Sequence, residues 1–513
     1  MGQTRFENQE YYQPAQPYRL LPFQFLQFDQ HRKIVVNEVG EYLFLSNRDF
    51  DLFVTRQLDI SSEVYCDLKG KHFLFDSGMT AALSLLATKY RTKKAHLAGF
   101  TKLHIFVVSL RCEHSCPYCQ VSRVSADRSR YDMSEETAKR SLDLVFRSPA
   151  DEIKIEFQGG EPLLNFERIV QIVEEAEARS AASGKKVEFV VTTNLALITD
   201  AMLEFFKAHG VLISTSLDGP AFLHNANRPR PGNNSYELTV QNLARARAIL
   251  GFDRVGALMT TTRLSLRHPR EIIDEYVRQG FQSIFLRNLS PYGFAVKTAR
   301  TIGYTVEDFL RFYVESLDYI IELNRRGIHF VELYAQLLLT RILTPFSTGY
   351  VDLQSPAGAG IGVAVYNYDG DVYASDESRM LAEMGDWQFR LGNVHTDSYE
   401  QIFGGELLRG IVASSCVESI PGCADCAFQA FCGADPVFNY ATQGDLVGHR
   451  PTSDFHKKNF TLIKHLLTLY HSDPIVRRIF WAWVHNIPVD EFLRETAPDL
   501  GPTITPLTQE AAL

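Results

Sequence analysis

Two hydrophobic patterns alternate along the central part of the chain, between residues 102 and 327. Short apolar runs typical of buried strands are followed by longer stretches with the periodicity of amphipathic helices. The candidate strands are Leu103–Ser109, Ile153–Phe157, Val187–Val191, Val211–Leu217, Val255–Met259 and Ile284–Leu286. The candidate helices are Ser134–Arg147, Phe166–Ser180, Asp200–His209, Tyr236–Leu250, Pro269–Gln279 and Val306–Asn324. Repeated strand–helix units predict an α/β fold with a parallel sheet, either open or curved into a partial (β/α)6 barrel.

The regions that flank this repeat follow other patterns. We predict a polar arm and a small α+β unit over residues 1–97, the α/β repeat over 98–327, a region without alternation over 328–470, and a helical tail over 471–513. Within the first unit, apolar runs at Phe23–Phe28 and Ile34–Leu45 predict strands, and Asn47–Leu58 predicts a short helix.

Composition and charge exclude some classes of function. The chain has 45% hydrophobic and 22% charged residues, a formal net charge of −9 and a pI near 6.0. This acidic balance argues against nucleic acid as a partner. No apolar run is long enough to span a bilayer and no stretch resembles a signal peptide, so we expect a cytoplasmic protein without a membrane partner.

Cysteine usage changes the picture most. Seven of the eight cysteines fall into two clusters: Cys112, Cys116 and Cys119, then Cys416, Cys423, Cys426 and Cys432. In an intracellular chain of this length, such clusters indicate metal or iron–sulfur ligation rather than disulfides. Cys66 stands alone, and we expect it to be a small buried residue.

Polar or glycine-rich residues follow each predicted strand. After the cysteine loop come Gly159-Gly160-Glu161-Pro162, Thr193-Asn194, Ser216 and Asp218, Thr260-Thr261-Thr262, and Arg287, with Arg228 in a nearby loop. Ligands of parallel α/β folds bind at the carboxyl ends of the strands, which predicts one site there. Taken one by one, these residues could equally be helix caps or turn residues.

The motif Cys112-x3-Cys116-x2-Cys119 places three thiolates in one short loop. Three thiolates suit a four-iron cluster with one open iron. The alternative is a zinc site with His114 as a fourth ligand, although a tight loop would struggle to direct all four groups inward. The spacing, with Tyr118 before the third cysteine, resembles the signature of the radical S-adenosylmethionine (SAM) superfamily.

That resemblance implies a [4Fe–4S] cluster that binds SAM and, on reduction, cleaves it to a 5′-deoxyadenosyl radical. It also implies that the Gly159–Pro162 motif contacts the SAM amino group, and that Thr193 and Asn194 bind its ribose or carboxylate. Ser216, Asp218 and Arg228 are further candidates for binding SAM. Arg287 could contact the SAM carboxylate or the substrate.

The spacing Cys423-x2-Cys426-x5-Cys432 resembles the SPASM domain of peptide-modifying radical SAM enzymes, which binds two auxiliary clusters. Ser375 and Pro436 stand where that family has cysteine, so we expect one auxiliary [4Fe–4S] cluster with Cys416 or His456 as fourth ligand. Zinc is a rival at this site. Asp376 matches the aspartate that accepts the substrate proton in sulfatase-oxidising relatives, and its alternative role is that of a turn acid.

Longer strings, including LHIFVVSLRCEHSCPYCQVSR, IKIEFQGGEPLLNF and YNYDGDVYASDESRMLAEMGD, resemble the radical SAM maturases of His-Xaa-Ser peptide systems. The resemblance implies a ribosomal precursor peptide as substrate, a partner radical SAM maturase and an electron donor such as flavodoxin or ferredoxin. It also suggests that residues 21–97 hold a leader peptide, or that they only cap the barrel. The rival functions are a small-molecule or sulfatase-activating radical SAM enzyme and a zinc scaffold without catalysis.

Overall fold

The computed structural model describes residues 18–119, apart from 78 and 80, and residues 127–489. The predicted N-terminal arm and the end of the predicted tail lie outside the described residues.

The first unit is a small α+β module. Its elements are β1 (Arg19–Leu20), β2 (Phe23–Gln27), β3 (Arg32–Asn37), β4 (Tyr42–Ser46), α1 (Asn47–Val54), α2 (Glu63–Gly70), β5 (Leu74–Phe75) and α3 (Ala82–Lys94). The run Ile34–Leu45, for which we predicted strand structure, forms two antiparallel strands, β3 and β4, separated by a turn with Gly40 at φ 88°. The prediction for Cys66 was wrong: α2 turns Tyr65 and Leu68 inward and leaves Cys66 exposed.

The central repeat follows the predicted order closely. Its strands are β6 (Leu103–Ser109), β7 (Glu152–Gly159), β8 (Lys186–Thr192), β9 (Leu212–Ser216), β10 (Val255–Thr260), β11 (Ser283–Ile284) and β12 (Leu286–Arg287). Its helices are α4 (Arg128–Tyr131), α5 (Glu135–Val145), α6 (Phe166–Ser183), α7 (Asp200–Ala208), α8 (Ala221–Asn227), α9 (Ser235–Leu250), α10 (Pro269–Arg278), α11 (Phe294–Lys297), α12 (Ala299–Ile302) and α13 (Val306–Arg325). The predicted α/β fold with a parallel sheet is confirmed.

The C-terminal region mixes short strands with helices. Its elements are β13 (Val331–Glu332), α14 (Leu333–Leu343), β14 (Val363–Tyr366), β15 (Asp371–Tyr373), α15 (Asp376–Glu383), β16 (Arg390–Asn393), α16 (Tyr399–Gly404), α17 (Glu406–Ser414), α18 (Pro436–Gln443), α19 (Asp454–Ser472) and α20 (Pro474–His485). Within the described ranges, no helix combines the length and apolarity that a bilayer crossing requires.

One sheet joins the central and C-terminal regions. Among the described residues it has nine strands in the order β12-β10-β9-β8-β7-β6-β14-β15-β16. The strands from β12 to β14 are parallel, and β15 and β16 add antiparallel strands at the end. The carboxyl ends of β6 to β10 and of β12 therefore meet at one rim, as the fold class requires.

The central strand β6 is buried on both faces, which explains its apolar sequence. In β7, Ile153, Ile155 and Phe157 are buried against α5 and α6, and the residues between them are half-buried. A second large core packs α13, α14, α19 and α20 around Trp483. The cysteine-rich loop after α17 borders this second core.

Candidate active site

The N-terminal cysteine loop (Cys112–Cys119) follows the end of β6. Its three cysteines are half-buried with free thiols, and they lie close enough to influence one another electrostatically. Burial is the main cause that raises the pKa of Cys116 to about 12, so the bare thiol holds its proton. Coordination by iron removes that proton, because a bound cation stabilises the thiolate.

A buried polar network fixes the loop to the end of β9. The Tyr118 hydroxyl donates to Asp218 Oδ2 at 2.7 Å, and Arg228 Nε donates to the same oxygen at 3.0 Å. The Arg228 guanidinium also lies over the Tyr118 ring, 5.3 Å from its centroid. Asp218 is fully buried and also accepts a hydrogen bond from the Thr260 amide. Asp218 and Arg228 are thus engaged with each other and with the loop.

The zinc alternative depends on His114, and both nitrogens of this side chain have protein partners. Nε2 lies 2.8 Å from Ser235 Oγ and Nδ1 lies 2.9 Å from Glu113 Oε1. Cys112, Glu113 and His114 do bring three potential ligand atoms within 4.8 Å of one another. A zinc ion there would take one of these two nitrogens and break a hydrogen bond of a 2% exposed histidine, so the geometry favours the three-cysteine cluster.

Glycine is required where the second motif touches the loop. A Cβ on Gly159, which has φ 151°, would lie 1.9 Å from the Ser109 carbonyl oxygen. A Cβ on Gly160 would lie 2.3 Å from the Arg111 oxygen. The two backbones instead pair through Gly160 N to Ser109 O and Glu161 N to Arg111 O, at 2.8 and 2.7 Å. Close backbone approach is the reason for the Gly-Gly pair.

Glu161 joins two strand ends. Its carboxylate is fully buried and accepts hydrogen bonds from Leu163 N at 3.1 Å, Thr193 Oγ1 at 2.7 Å and Asn194 N at 2.9 Å. Burial, with the nearby Glu113, raises the pKa of Glu161 to about 8. The observed role of Glu161 is to order the loops that follow β7 and β8.

Glu113 is a residue that the sequence reasoning missed. Its Oε1 accepts from Asn194 Nδ2 at 2.8 Å, while Oε2 is buried without a hydrogen-bond partner among the described residues. A buried carboxylate oxygen without a donor favours a cationic ligand. The sequence signal for Glu113 was its position next to Cys112. Composition and spacing do not distinguish an acid at this position from an exposed one.

The remaining predicted residues lie at or near the same rim. Pro162 begins a short 3-10 helix, Pro162–Asn165, and Ser216 ends β9 half-buried. Arg287 ends β12, but its guanidinium faces Glu377, at 3.9 Å, in a separate cavity. The structure therefore brings the Gly159–Pro162 motif, Thr193 and Asn194 together beside the cysteine loop and directs Arg287 elsewhere.

A family comparison decides what this site is. Residues 106–286 match the model of the radical SAM superfamily. This part of the chain is a radical SAM domain. The family implies a [4Fe–4S] cluster and SAM, and the residues fit both: three free thiols in one loop, two glycines under it and an unpartnered buried carboxylate oxygen.

Similar proteins extend the comparison. The cysteine-type anaerobic sulfatase-maturating enzyme of Clostridium perfringens is 23% identical over 298 residues, which cover 57% of this chain and 77% of that enzyme. The structure of native anSMEcpe with bound AdoMet aligns with a TM-score of 0.58 at 19% identity, over 71% of this chain and 96% of the other. Streptococcus suis SuiB bound to precursor peptide SuiA aligns with a TM-score of 0.50 at 15% identity, over 85% and 99%. The chain covers 64% and 62% of the length of the first curated relatives that it matches.

Beyond the radical SAM domain, the C-terminal cysteine loop (Cys423–Cys432) brings three further thiols together. Cys423 and Cys426 both act electrostatically on Cys432, and burial raises the pKa of Cys432 to about 12. Cys416 donates to the Val412 carbonyl at 3.4 Å, and its charged neighbours are Glu418 and Lys94. His456 shares a charged neighbour, Arg450, with Cys423.

The two positions where the SPASM family has cysteine serve as helix starts. Ser375 caps α15, since its side chain accepts from Ser378 N at 3.2 Å. Pro436 is the first residue of α18, where its fixed φ suits the helix and its missing N–H costs nothing. These roles explain why serine and proline occupy these positions.

Asp376 and its neighbour Glu377 point to different places. Asp376 forms an ion pair with Arg379 at 3.1 Å. Glu377 lines a cavity of about 370 Å³ with Arg287, Asp352, Asp435 and Lys458. The role of Asp376 as a base remains a prediction.

Proposed function

We propose that the protein is a radical SAM peptide maturase that abstracts hydrogen from a ribosomally made precursor peptide and installs a cross-link or other oxidative modification. The observation that carries the proposal is the arrangement of the N-terminal cysteine loop. It lies over the Gly159-Gly160 backbone and beside the Glu161–Thr193–Asn194 network, so one rim offers both cluster ligands and polar groups for SAM.

When bound, the cluster and SAM supply a 5′-deoxyadenosyl radical after one-electron reduction by a donor such as flavodoxin or ferredoxin. The chain itself holds the loop: Asp218 and Arg228 anchor Tyr118, and Glu161 fixes Asn194. Cys423, Cys426 and Cys432 would hold one auxiliary cluster. Its fourth ligand is Cys416 or His456.

A peptide substrate is supported by the relatives. SuiB is described with its precursor peptide, and the Clostridium enzyme matures a sulfatase. The resemblance to His-Xaa-Ser systems narrows the substrate to a precursor with such repeats, together with a partner maturase. The leader peptide would add a strand to the β2–β3–β4 sheet, which has β2 and β4 as its outer strands in the described residues. A cytoplasmic location remains a prediction.

The second candidate is a sulfatase-maturing activity, which the similarity to the Clostridium enzyme favours. The two candidates differ in substrate, so mass spectrometry of each substrate after coexpression with the protein separates them. A mass loss in the His-Xaa-Ser precursor supports the first, and a modified sulfatase peptide alone supports the second.

The chemistry is tested by anaerobic reconstitution. Reduced protein with SAM should form 5′-deoxyadenosine and contain about eight irons per chain, as expected for two [4Fe–4S] clusters. About four irons would leave only one cluster. Zinc at both cysteine sites without nucleoside formation would overturn the proposal in favour of a scaffold. Iron analysis of Cys416→Ser and His456→Gln then identifies the fourth auxiliary ligand.

A further inference from the structure

The cavity beside the radical SAM site has an unusual charge balance. Six charged side chains line it: Arg287, Asp352, Glu377, Asp435, Asp454 and Lys458. Four carboxylates thus face two cations, and Asp454 lies exposed at the edge. Tyrosine and phenylalanine rings form much of the remaining wall, including Tyr334, Tyr350 and Phe455. The cavity therefore combines more carboxyl groups than cations with flat aromatic surface. Burial raises the pKa of Glu377, Asp352 and Asp435, so a cation that enters the cavity would stabilise their ionised forms.

A buried hydroxyl points to an absent ligand. Tyr292 lines the same cavity, is 1% exposed, and its hydroxyl has no hydrogen-bond partner among the described residues. Burial raises the pKa of this hydroxyl, and the nearby carboxyl groups of Asp435, Glu377 and Asp352 raise it further. A buried hydroxyl normally finds a partner, so this one is placed to bind a group that enters the cavity.

The position of the cavity connects it with the cluster. The segment of α11 and α12 touches the cysteine loop on one side, where Phe294 N donates to Cys119 O at 2.8 Å and Thr298 Oγ1 donates to Pro117 O at 2.7 Å. On its other side, Ala295 and Ala299 line the cavity. A group held in the cavity is therefore separated from the loop by one short helical segment.

A metal ion does not suit this group of carboxylates. Cys112, Glu113 and His114 are the one set of three potential ligand residues within 4.8 Å among the described residues, so the cavity carboxylates are spaced more widely than a metal trio. A larger organic cation can contact several of these carboxylates at once and stack on the aromatic wall.

We propose that this cavity is a specificity pocket that binds one positively charged side chain of the substrate peptide, held by Glu377, Asp435 and Asp352, with the Tyr292 hydroxyl as an additional contact. The proposal rests on the proposed function, since it takes the bound molecule to be the peptide substrate. Charge complementarity sets specificity here, because a cationic side chain stabilises the ionised forms of these buried carboxyl groups and a neutral side chain does not.

The test compares two peptides that differ in one charge. Acetyl-Gly-Arg-Gly-amide and the same peptide with citrulline, a neutral isostere of arginine, are titrated into the reconstituted protein and followed by ligand-detected NMR. We expect the arginine peptide to bind at least about tenfold more tightly, as one charged hydrogen-bonded contact predicts. Lysine against norleucine should give the same preference. Equal affinities, or tighter binding of a glutamate peptide, would overturn the proposal.

Two variants locate the effect. Glu377→Gln should reduce the arginine preference by about tenfold, whereas Asp386→Asn, which removes a carboxylate outside the cavity, should leave it unchanged. Retention of the full preference in folded Glu377→Gln combined with Asp435→Asn would place the cation elsewhere and contradict the proposal. Asparagine preserves the helix cap that Asp435 provides to α18.

The result is independent of catalysis. The peptide comparison needs no SAM cleavage, so Cys116→Ala should keep the arginine preference. A protein that selects the arginine peptide but forms no 5′-deoxyadenosine would retain the pocket and lose the proposed function. A protein that forms 5′-deoxyadenosine but binds the arginine and citrulline peptides equally would retain the proposed function and lose the pocket.

Discussion

The two cysteine loops contain similar motifs but lie in different surroundings. The N-terminal loop is bordered by the Asp218–Arg228 pair and by Glu161, and it contains Glu113, whose Oε2 has no hydrogen-bond partner among the described residues. The C-terminal loop packs Cys426 and Cys432 against a hydrophobic core, and Arg341 donates hydrogen bonds to its carbonyls. The spacing of the cysteines alone therefore does not distinguish the role of one loop from that of the other. The polar surroundings mark the loop that must bind a second molecule, whereas the other loop is closed by apolar packing.

The largest expected effect concerns the N-terminal loop. Cys116→Ala removes one of three ligands, so we expect 5′-deoxyadenosine formation to be lost and iron to fall from about eight to about four per chain. Cys66→Ala is the matched control, since Cys66 is exposed and far from either cluster in sequence. Nucleoside formation at the wild-type rate in Cys116→Ala would show that this loop does not hold the catalytic cluster.

The corresponding change in the C-terminal loop should separate the two roles. Cys432→Ala is expected to lose about four irons while the variant still cleaves SAM, because the cluster that binds SAM remains. Iron content and nucleoside yield, measured on the same sample, check this. Loss of both in a folded Cys432→Ala protein would mean that the two loops are not independent.

A smaller effect is expected from the polar network. Glu161→Gln keeps the shape but replaces one accepting oxygen with an amide NH2. A buried donor of Thr193 or Asn194 is then left without its acceptor, at a cost of about 1 to 3 kcal/mol, or roughly 5- to 150-fold in SAM affinity. Equilibrium binding of SAM is the measurement. Glu156→Gln on the same sheet, where Glu156 accepts from Thr192, is the control. Equal affinities in both variants would remove Glu161 from the SAM site.

The smallest expected effect is a pH dependence in the cavity between the loops. Burial, with Asp352 and Asp376, raises the pKa of Glu377 to about 7. A cation binds the ionised carboxylate, so the affinity for the arginine peptide should rise about tenfold between pH 6 and 8. The charged groups and phenols that face Glu377 are Arg287, Asp352, Asp376, Asp435, Lys458, Tyr292 and Tyr350. Glu377→Gln should reduce the slope without abolishing it, because burial also raises the pKa of Asp352 and Asp435. An unchanged slope in that variant would assign the titration to another group.

The sequence predicted the central strands well because both their apolar content and their turn residues are local signals. Leu103–Ser109 matches β6 at both ends, whereas Ile34–Leu45 hid a turn at Gly40 inside an apolar run. The pairing of β14 with β6 joins residues more than 250 positions apart, and no local pattern reports such contacts.

The candidate site shows the same limit at the level of side chains. The sequence identified the cysteines by their spacing. It identified the Gly-Gly pair because a close backbone contact requires glycine. Which of Asp376 and Glu377 faces the cavity depends on the rotation of α15, which the capping box at Ser375 sets. Glu113 could not be identified, because its significance lies in a buried oxygen that has no hydrogen-bond partner among the residues that the structure describes.

The continuous sheet has a consequence for any attempt to divide the protein. A chain that stopped near residue 327 would keep the radical SAM motif but lose β14, and the backbone of β6 would be open along one side. Val107 and Ile105, now covered by Val363 and Val365, would become solvent-exposed next to that open edge. Exposed hydrophobic edge strands associate with one another, so the shortened protein should aggregate rather than act as an independent domain.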